Sequence, residues 1–332
     1  MNKSDLQNYP GFVEFISLYS SNNTKSSYTC DCKDFFEFVK EKDPKDVTKL
    51  EVIQFMNHMK ASGKISNRSV CRKMISVRQY FSFLVSIDYI LKNPFVGREM
   101  KLPKFLTDTT NRKYISDDDL TKIFTYLDER IEKTKKEPLK NARACMGKAI
   151  ISVMGYNGLR RHEVAGLNLG DIFSIDEIHV VKVRGKGEKE RTRPLHPESY
   201  KAIINYLKAS GRLNGNASDP LFIISSYMFP GNPKFKKEGN KDNKRVMKRI
   251  TGGRIWFLVK TIAKKAKIKG HVSPHAFRAK FASMALEAGV PITSVQYDLG
   301  HSSIETTSIY DRAKSSMERS SIHKIPSFSK AG

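Results

Sequence analysis

Four residues with chemically useful side chains stand near the end of the chain at uneven intervals. His275 and Arg278 lie in the segment HAFR, and His301 and Tyr310 follow in LGH and SIY. A phenol can attack phosphorus, a guanidinium can neutralise phosphate oxygens, and an imidazole can accept a proton. Each residue alone could serve packing, but the four in this order favour a tyrosine that attacks a phosphodiester.

Cleavage of a phosphodiester also requires charge stabilisation on the non-bridging oxygens and a proton for the leaving oxygen. Arg160 and Arg278 are the candidates for the first task, and His275 is the candidate base that activates the phenol. Lys186, between two glycines, could protonate the leaving oxygen or simply belong to a flexible turn. The acidic run at 117–119 reads as a helix start and not as a metal site, so we expect no metal cofactor.

The composition predicts a globular protein that binds a polyanion. The 332 residues include 59 lysines and arginines against 34 aspartates and glutamates, a formal net charge of +25. No apolar run is long enough to cross a membrane and the polar start lacks a signal sequence, so we expect a cytoplasmic protein. The cysteines lack the spacing of a zinc site and are expected to be reduced thiols; they are Cys30, Cys32, Cys71 and Cys145.

Residues 1–100 are expected to form an α-helical domain, because apolar residues recur at helical spacing with little strand signal. Segments around Phe35 and around Leu50 predict two of its helices, and residues 70–84 predict a third. The third helix carries basic residues that could face DNA phosphates or form an ordinary solvated face, and both interpretations stay open. These residues are Arg68, Arg72, Lys73 and Arg78.

A break in the apolar pattern separates this domain from a second one. Asn93-Pro94 and Pro103 disfavour helix, and the polar run at 107–113 has no periodicity. We therefore expect a linker at 101–113 and a second domain at 114–332, whose first helix opens at Ser116.

The second domain is expected to contain a β-hairpin after Arg160. The apolar residues from Ile178 to Val183 predict one strand, the glycines around Lys186 predict a turn, and the segment from Lys189 to Leu195 predicts the returning strand. The basic run at 231–249 predicts a loop that either clamps the DNA backbone or is merely solvated. Candidate phosphate contacts in this domain are Lys189, Arg191, Lys244 and Arg245.

Three short helices are expected to bring the C-terminal residues together. Ser273 caps the first, which presents His275 and Arg278 on the side opposite its apolar residues. The second runs over 291–299 and stops at Gly300, directly before His301. A capping box of Ser302 and Glu305 is expected to open the third helix, which would carry Tyr310 about two turns along.

The order of the segments GLRRHE, RGKGEKER, HAFR, LGH and SIYDR resembles the tyrosine recombinase family, which includes the phage integrases and Xer-type recombinases. The resemblance implies a mainly α protein with a small β-hairpin or sheet, built from an α-helical core-binding domain and an α+β catalytic domain. It also assigns the catalytic positions to Arg160, Lys186, His275, Arg278, His301 and Tyr310, with Glu163 in a supporting role. The chain departs from the family pattern at Phe277, where leucine is usual, and at Ala279, where histidine is frequent.

The resemblance further implies strand exchange through a 3′-phosphotyrosyl intermediate, without metal or ATP. Double-stranded DNA would be the partner, bound at specific recombination sites. The protein would be a monomer in solution and a homotetramer on DNA, with or without an accessory factor. Because no further domain is expected before residue 10, the chain looks like the compact Xer-like or Cre-like members, which lack an arm-binding domain.

Two other functions are compatible with parts of the pattern. A type IB topoisomerase would use the same nucleophile to nick and close DNA without exchanging partners. A DNA-binding protein without catalysis would explain the charge of +25 and the helical first half, but not the ordered motifs.

Overall fold

The computed structural model describes residues 5–97, 100–104, 115–185, 190–224, 247–270, 272–301 and 303–310. The chain divides into two compact units, Met1–Asp108 and Thr109–Gly332. The expected mainly α fold with a small sheet is confirmed. Lys186, Lys189, Lys244 and Arg245 lie outside the described residues, as do positions 105–113 of the expected linker.

The first unit is a helical bundle around an aromatic core. Phe35, Phe36, Tyr80 and Phe81 are fully buried there, and Phe35 meets Phe81 edge to face at 5.8 Å between ring centroids. The expected helices are present, although Leu50 is exposed. The helices are α1 (Phe12–Ser17), α2 (Asn22–Phe38), α3 (Lys49–Ala61) and α4 (Asn67–Ser86), with 3₁₀ turns at Asp5–Asn8 and Pro44–Asp46.

Two of the four basic side chains of α4 form ion pairs with a buried carboxylate. Asp31 of α2 is 1% exposed, and Nη1 and Nη2 of Arg72 both donate to its carboxylate. Lys73 forms ion pairs with Asp31 at 3.4 Å and with Asp34. Arg72 and Lys73 therefore join α4 to α2, although half of the Arg72 side chain is still exposed. Arg68 and Arg78 are exposed as well.

The second unit is built around α6 (Pro138–Asn157), a helix that is buried along most of its length. Its core includes Ile150, Val153 and Met154, which are fully buried. The other helices are α5 (Asp117–Lys133), α7 (Arg161–Gly166), α8 (Pro197–Ala209), α9 (Gly252–Lys265), α10 (Pro274–Glu287), α11 (Ile292–Leu299) and α12 (Ile304–Ser308), and a 3₁₀ turn spans Leu169–Asp171.

The expected hairpin belongs to a three-stranded antiparallel sheet in the order β1-β2-β3. The hairpin strands are β2 (Ile178–Arg184) and β3 (Glu190–Pro194), and β1 (Ile172–Ile175) is an edge strand that the sequence pattern did not indicate. Val183 pairs with Arg191, and Arg184 pairs with Glu190. This register places Arg191 beside a buried position of β2, because Val183 is only 1% exposed.

Two expectations about the C-terminal helices were wrong. The helix before Tyr310 has its N-cap at Ser303, one residue later than expected, and Ser303 accepts a hydrogen bond from the Glu305 backbone at 3.1 Å. Ser302 itself lies outside the described residues. This helix is one turn long, so Tyr310 lies just past its end, where its backbone N–H donates to the Thr307 carbonyl at 2.9 Å. Arg278, which was expected on the side of α10 opposite the apolar residues, is buried, at 2% exposure.

Candidate active site

Arg160 and Glu163 form the centre of the site, at the junction between α6 and α7. Gly158 ends α6 with φ of 63°, in the left-handed region that glycine tolerates best. Arg160 then opens α7, and its backbone N–H donates to Glu163 Oε2 at 2.7 Å while its Nη1 donates to Glu163 Oε1 at 3.0 Å. The backbone bond holds the buried Glu163 carboxylate in place, and the carboxylate then directs the Arg160 side chain through the second bond.

Arg278 connects this junction to the end of α11. Its Nη1 donates to the Gly158 carbonyl at 2.5 Å, and its Nη2 donates to the Leu299 carbonyl. Arg160 reaches the next residue, since its Nη2 donates to the Gly300 carbonyl at 3.0 Å. The two guanidiniums are therefore held on consecutive carbonyls of the turn that precedes His301.

The buried charges of the site are not balanced. Burial lowers the pKa of Arg278 to about 9, and the neighbouring Arg160 adds to this effect. Burial alone would raise the pKa of Glu163, but the Arg160 backbone hydrogen bond and the guanidiniums of Arg160 and Arg278 outweigh it and lower that pKa. A site with excess positive charge and one buried carboxylate is suited to receive an anion such as phosphate.

His301 is close to both arginines and to Tyr310. Its Nδ1 is 2.9 Å from the Thr307 hydroxyl, and its carbonyl accepts a bond from Gln296 at 3.1 Å. Its ring centroid is 6.2 Å from that of Tyr310, with 26° between the ring planes. Burial, followed by the charges of Arg278 and Arg160, lowers the pKa of His301 to about 4, so the imidazole is neutral near pH 7.

Tyr310 packs on a small apolar cluster that also positions α11. The cluster contains Ala282, Leu286, Val295 and Leu299. Its phenol interacts electrostatically with Arg278. The hydroxyl group of Tyr310 is thus in the same electropositive region as the two guanidiniums.

His275 stands at the second residue of α10, after the cap Ser273 and Pro274. The residue reaches the surface, but its ring is half-buried. Desolvation of the ring, followed by the charges of Arg278, Arg161 and Arg160, lowers the pKa of His275. A neutral imidazole at this position can accept a proton.

The structure thus brings together Arg160, Glu163, His275, Arg278, His301 and Tyr310. It adds Arg191, which was expected only as a phosphate contact but donates to Glu163 Oε1 at 2.9 Å. The alternation of β3 was the signal: Arg191 and Arg193 share the face of the buried Val183 and Val181. Thr307 had no signal in the sequence.

In the described part of the chain, no group of three or more potential ligand side chains could hold a metal ion. Over the same residues, no helix is long and apolar enough to cross a bilayer.

The chain matches two family models. The model of the phage integrase family matches residues 113–317, and the model of the phage integrase N-terminal SAM-like domain matches residues 11–87. Tyrosine recombinase XerC of Thermodesulfovibrio yellowstonii is 30% identical over 306 residues, which cover 90% of this chain and 89% of that protein. Tyrosine recombinase XerD of Halalkalibacterium halodurans is 27% identical and covers 87% of each chain.

Solved structures of recombinases share the fold. XerH bound to a palindromic difH substrate in a post-cleavage complex gives a TM-score of 0.67 at 18% identity, covering 98% of this chain and 85% of that chain. The lambda integrase tetramer bound to a Holliday junction gives 0.63 at 14% identity, covering 94% and 81%. The expected resemblance is confirmed, and the chain belongs to the phage integrase family of tyrosine recombinases.

Proposed function

We propose that the protein is a site-specific DNA recombinase that cuts and rejoins strands through a 3′-phosphotyrosyl intermediate, without metal or ATP. The observation that carries this proposal is the convergence of Arg160 and Arg278 on the carbonyls of Leu299 and Gly300, beside His301 and Tyr310. Two buried or half-buried guanidiniums supply the positive charge that metal ions supply in other phosphoryl-transfer enzymes.

In the proposed reaction, the Tyr310 oxygen attacks the scissile phosphorus while its proton passes to His275. The bond from phosphorus to the 5′ oxygen breaks, and Lys186 protonates this oxygen, which leaves as a 5′ hydroxyl. A 5′ hydroxyl of another strand then attacks the phosphotyrosine, which restores the phenol and joins the strands. The number of phosphate ester bonds is unchanged, so no external energy source is consumed.

The side chains around the phosphate divide the remaining work. Arg160 and Arg278 would neutralise the non-bridging oxygens, and Glu163 would hold Arg160 in place through its buried carboxylate. If the Thr307 hydroxyl donates to Nδ1 of His301, then Nε2 carries the ring proton and can donate a hydrogen bond to a non-bridging oxygen. The low pKa of His301 supports this neutral form.

The assembly is part of the same proposal. The helical unit, expected at 1–100, and the catalytic unit, expected at 114–332, would bind duplex DNA in the cytoplasm. The phosphate contacts of the helical unit would be the basic residues of α4, which are the exposed Arg68, Arg72 and Arg78 together with Lys73. Further contacts are proposed at Lys189, Lys244 and Arg245. Two recombination sites would be joined by four protomers, as in the lambda integrase tetramer bound to a Holliday junction.

The test compares the wild-type protein with Tyr310→Phe on a nicked suicide substrate in EDTA. The DNA site is first selected from a randomised library by binding to the wild-type protein. We expect wild type to form a covalent complex with DNA, and the variant to bind with similar affinity but form none. A requirement for magnesium, or a variant that still becomes attached, would contradict the proposal.

Two further assays separate the alternatives. Exchange between two linear duplexes with the selected site supports a recombinase, whereas relaxation of supercoiled plasmid without exchange would identify a type IB topoisomerase. DNA binding without any covalent complex would identify a non-catalytic binding protein.

A further inference from the structure

Arg191 lies where the hairpin meets the phosphate-binding arginines. It is the second residue of β3 and pairs with Val183, so it follows Lys186 by five residues on the returning strand. Its Nη2 donates to Glu163 Oε1 at 2.9 Å, and the same oxygen accepts from Arg160 Nη1 at 3.0 Å. The Arg191 side chain is 17% exposed and the Glu163 side chain is fully buried. One buried carboxylate oxygen thus joins two guanidiniums from different elements.

Arg191 also rests against the turn that leads to His301. Its Nη1 donates to the Tyr297 carbonyl at 3.5 Å. A Cβ added to Gly300 would lie only 1.4 Å from this Nη1 and 2.2 Å from Cζ. Gly300 has φ of 58°, and its missing side chain leaves the space that the guanidinium fills. The Arg191 guanidinium therefore contacts Glu163 through Nη2 and the end of α11 through Nη1.

We propose that Arg191 is a positioning residue for phosphoryl transfer. It fixes the position of the Arg160 guanidinium through the Glu163 carboxylate that both bind, and it holds the turn at Gly300, and thereby His301, close to Arg160. This inference rests on the proposed function. Without Arg191, Glu163 keeps its bonds to Arg160, but the carboxylate loses a partner that prevents it from rotating. The turn also loses the packing that fixes its distance from Arg160.

The positioning acts on the phosphate oxygens and not on the leaving group. Arg191 contacts Glu163, Tyr297 and Gly300, and through them it reaches Arg160 and His301. Its charge also contributes, after burial, Arg278 and Arg160, to the low pKa of His301. A defect caused by its removal is therefore distinct from a defect in protonation of the 5′ oxygen by Lys186.

The experiment measures the single-turnover rate of covalent complex formation at saturating protein, on the selected suicide site. Arg191→Ala is compared with Lys182→Ala, which removes a positive charge from the neighbouring strand at a half-exposed ion pair with Glu190. We expect Arg191→Ala to be slowed by ~10²-fold, since a displacement of about 1 Å in a positioned group has this effect. Lys182→Ala should stay within about 2-fold of wild type, as for other exposed ion pairs.

A second substrate carries sulfur in place of the bridging 5′ oxygen. A thiolate leaves without a proton, so this substrate bypasses a missing general acid but not a misplaced Arg160. We expect the Arg191→Ala defect to be as large on this substrate as on normal DNA, whereas a Lys186→Ala defect should largely disappear. Arg191→Lys, which keeps the charge but not the fork, should remain slow.

Several results would overturn the inference. They are an Arg191→Ala rate equal to that of Lys182→Ala, recovery of Arg191→Ala on the sulfur substrate, or full activity of Arg191→Lys. Melting temperature and DNA affinity are measured alongside, and Arg191→Gln carries the same expectation if Arg191→Ala does not fold. Failure of the wild-type protein to form any covalent complex would overturn the proposed function together with this inference.

Discussion

Glu163→Gln is the most informative perturbation of the site, because it changes charge with almost no change in shape. The Glu163 side chain is fully buried and accepts three hydrogen bonds, from the Arg160 backbone at 2.7 Å and from the guanidiniums of Arg160 and Arg191 at 3.0 and 2.9 Å. A glutamine keeps one carbonyl oxygen as an acceptor. Its amide nitrogen would place an N–H donor against Arg160 or Arg191, whose nitrogens are also donors.

The magnitude follows from these contacts. Each hydrogen bond to a charged group contributes about 1.5–3 kcal/mol, and removal of one partner from a buried ion pair costs about 3–5 kcal/mol. We therefore expect the free energy of unfolding to fall by ~3–5 kcal/mol, which shifts the melting temperature by roughly 10 °C in a domain of this size. The matched control is Glu190→Gln, because Glu190 is 50% exposed and pairs with Arg184 at 3.1 Å. The control should lose less than ~1 kcal/mol.

The assay is urea denaturation of both variants and the wild-type protein at neutral and acidic pH. Since the folded-state pKa of Glu163 lies below its ordinary value, its contribution is fully present above the unfolded-state pKa of about 4.3 and is lost as pH falls through the folded-state pKa. The difference between wild type and Glu163→Gln should therefore shrink below pH ~4. A loss at neutral pH that equals that of Glu190→Gln would refute the role of this carboxylate as the anchor of the two arginines.

Three further outcomes are expected. The imidazole of His301 should show no titration in NMR spectra between pH 8 and 5, because its pKa is lowered to about 4. Acidification below about pH 6.5 should destabilise the fold, because the unfolded chain takes up the proton first. A titration midpoint of His301 near pH ~6.5, the ordinary value, would contradict this. Gly158→Ala should lower the free energy of unfolding in urea by about 2–4 kcal/mol, since its Cβ would lie 2.6 Å from Phe281. Gly211→Ala, with φ of 64° and open space around it, should lower it by about 1 kcal/mol. Equal losses would show that Phe281 moves freely. Affinity for non-specific DNA should fall by ~10³-fold or more between about 50 and 200 mM salt, and a flat response in fluorescence anisotropy would argue against binding through phosphates.

Local patterns in the sequence were sufficient to predict most helices and to single out residues that come together at the site. The apolar spacing of α4 was predictive because Val70, Val77 and Leu84 are indeed fully buried in the helical unit. Likewise, Gly300 ends α11 in the left-handed conformation, as the residue type predicts. These features depend on near neighbours in the chain, so a single segment contains the information.

The features that the sequence did not predict depend on tertiary contacts. Arg278 was expected on a polar side of α10, but the carbonyls of Gly158 and Leu299 satisfy its donors and allow it to be buried. Arg191 was expected only as a phosphate contact, and its bond to Glu163, which follows from the register of β3, was not predicted. Polar residues that are buried against distant main-chain groups or carboxylates carry no apolar periodicity, so the pattern of the segment does not reveal them.

The most direct test of the central claim is to locate the covalent link between protein and DNA. Wild-type protein is trapped on the suicide substrate, digested with nuclease and trypsin, and sequenced by tandem mass spectrometry. We expect a nucleotide joined by a 3′ phosphate to Tyr310 and to no other residue. An adduct on a different side chain, or a cleaved substrate with no adduct at all, would contradict the assignment of Tyr310 as the nucleophile.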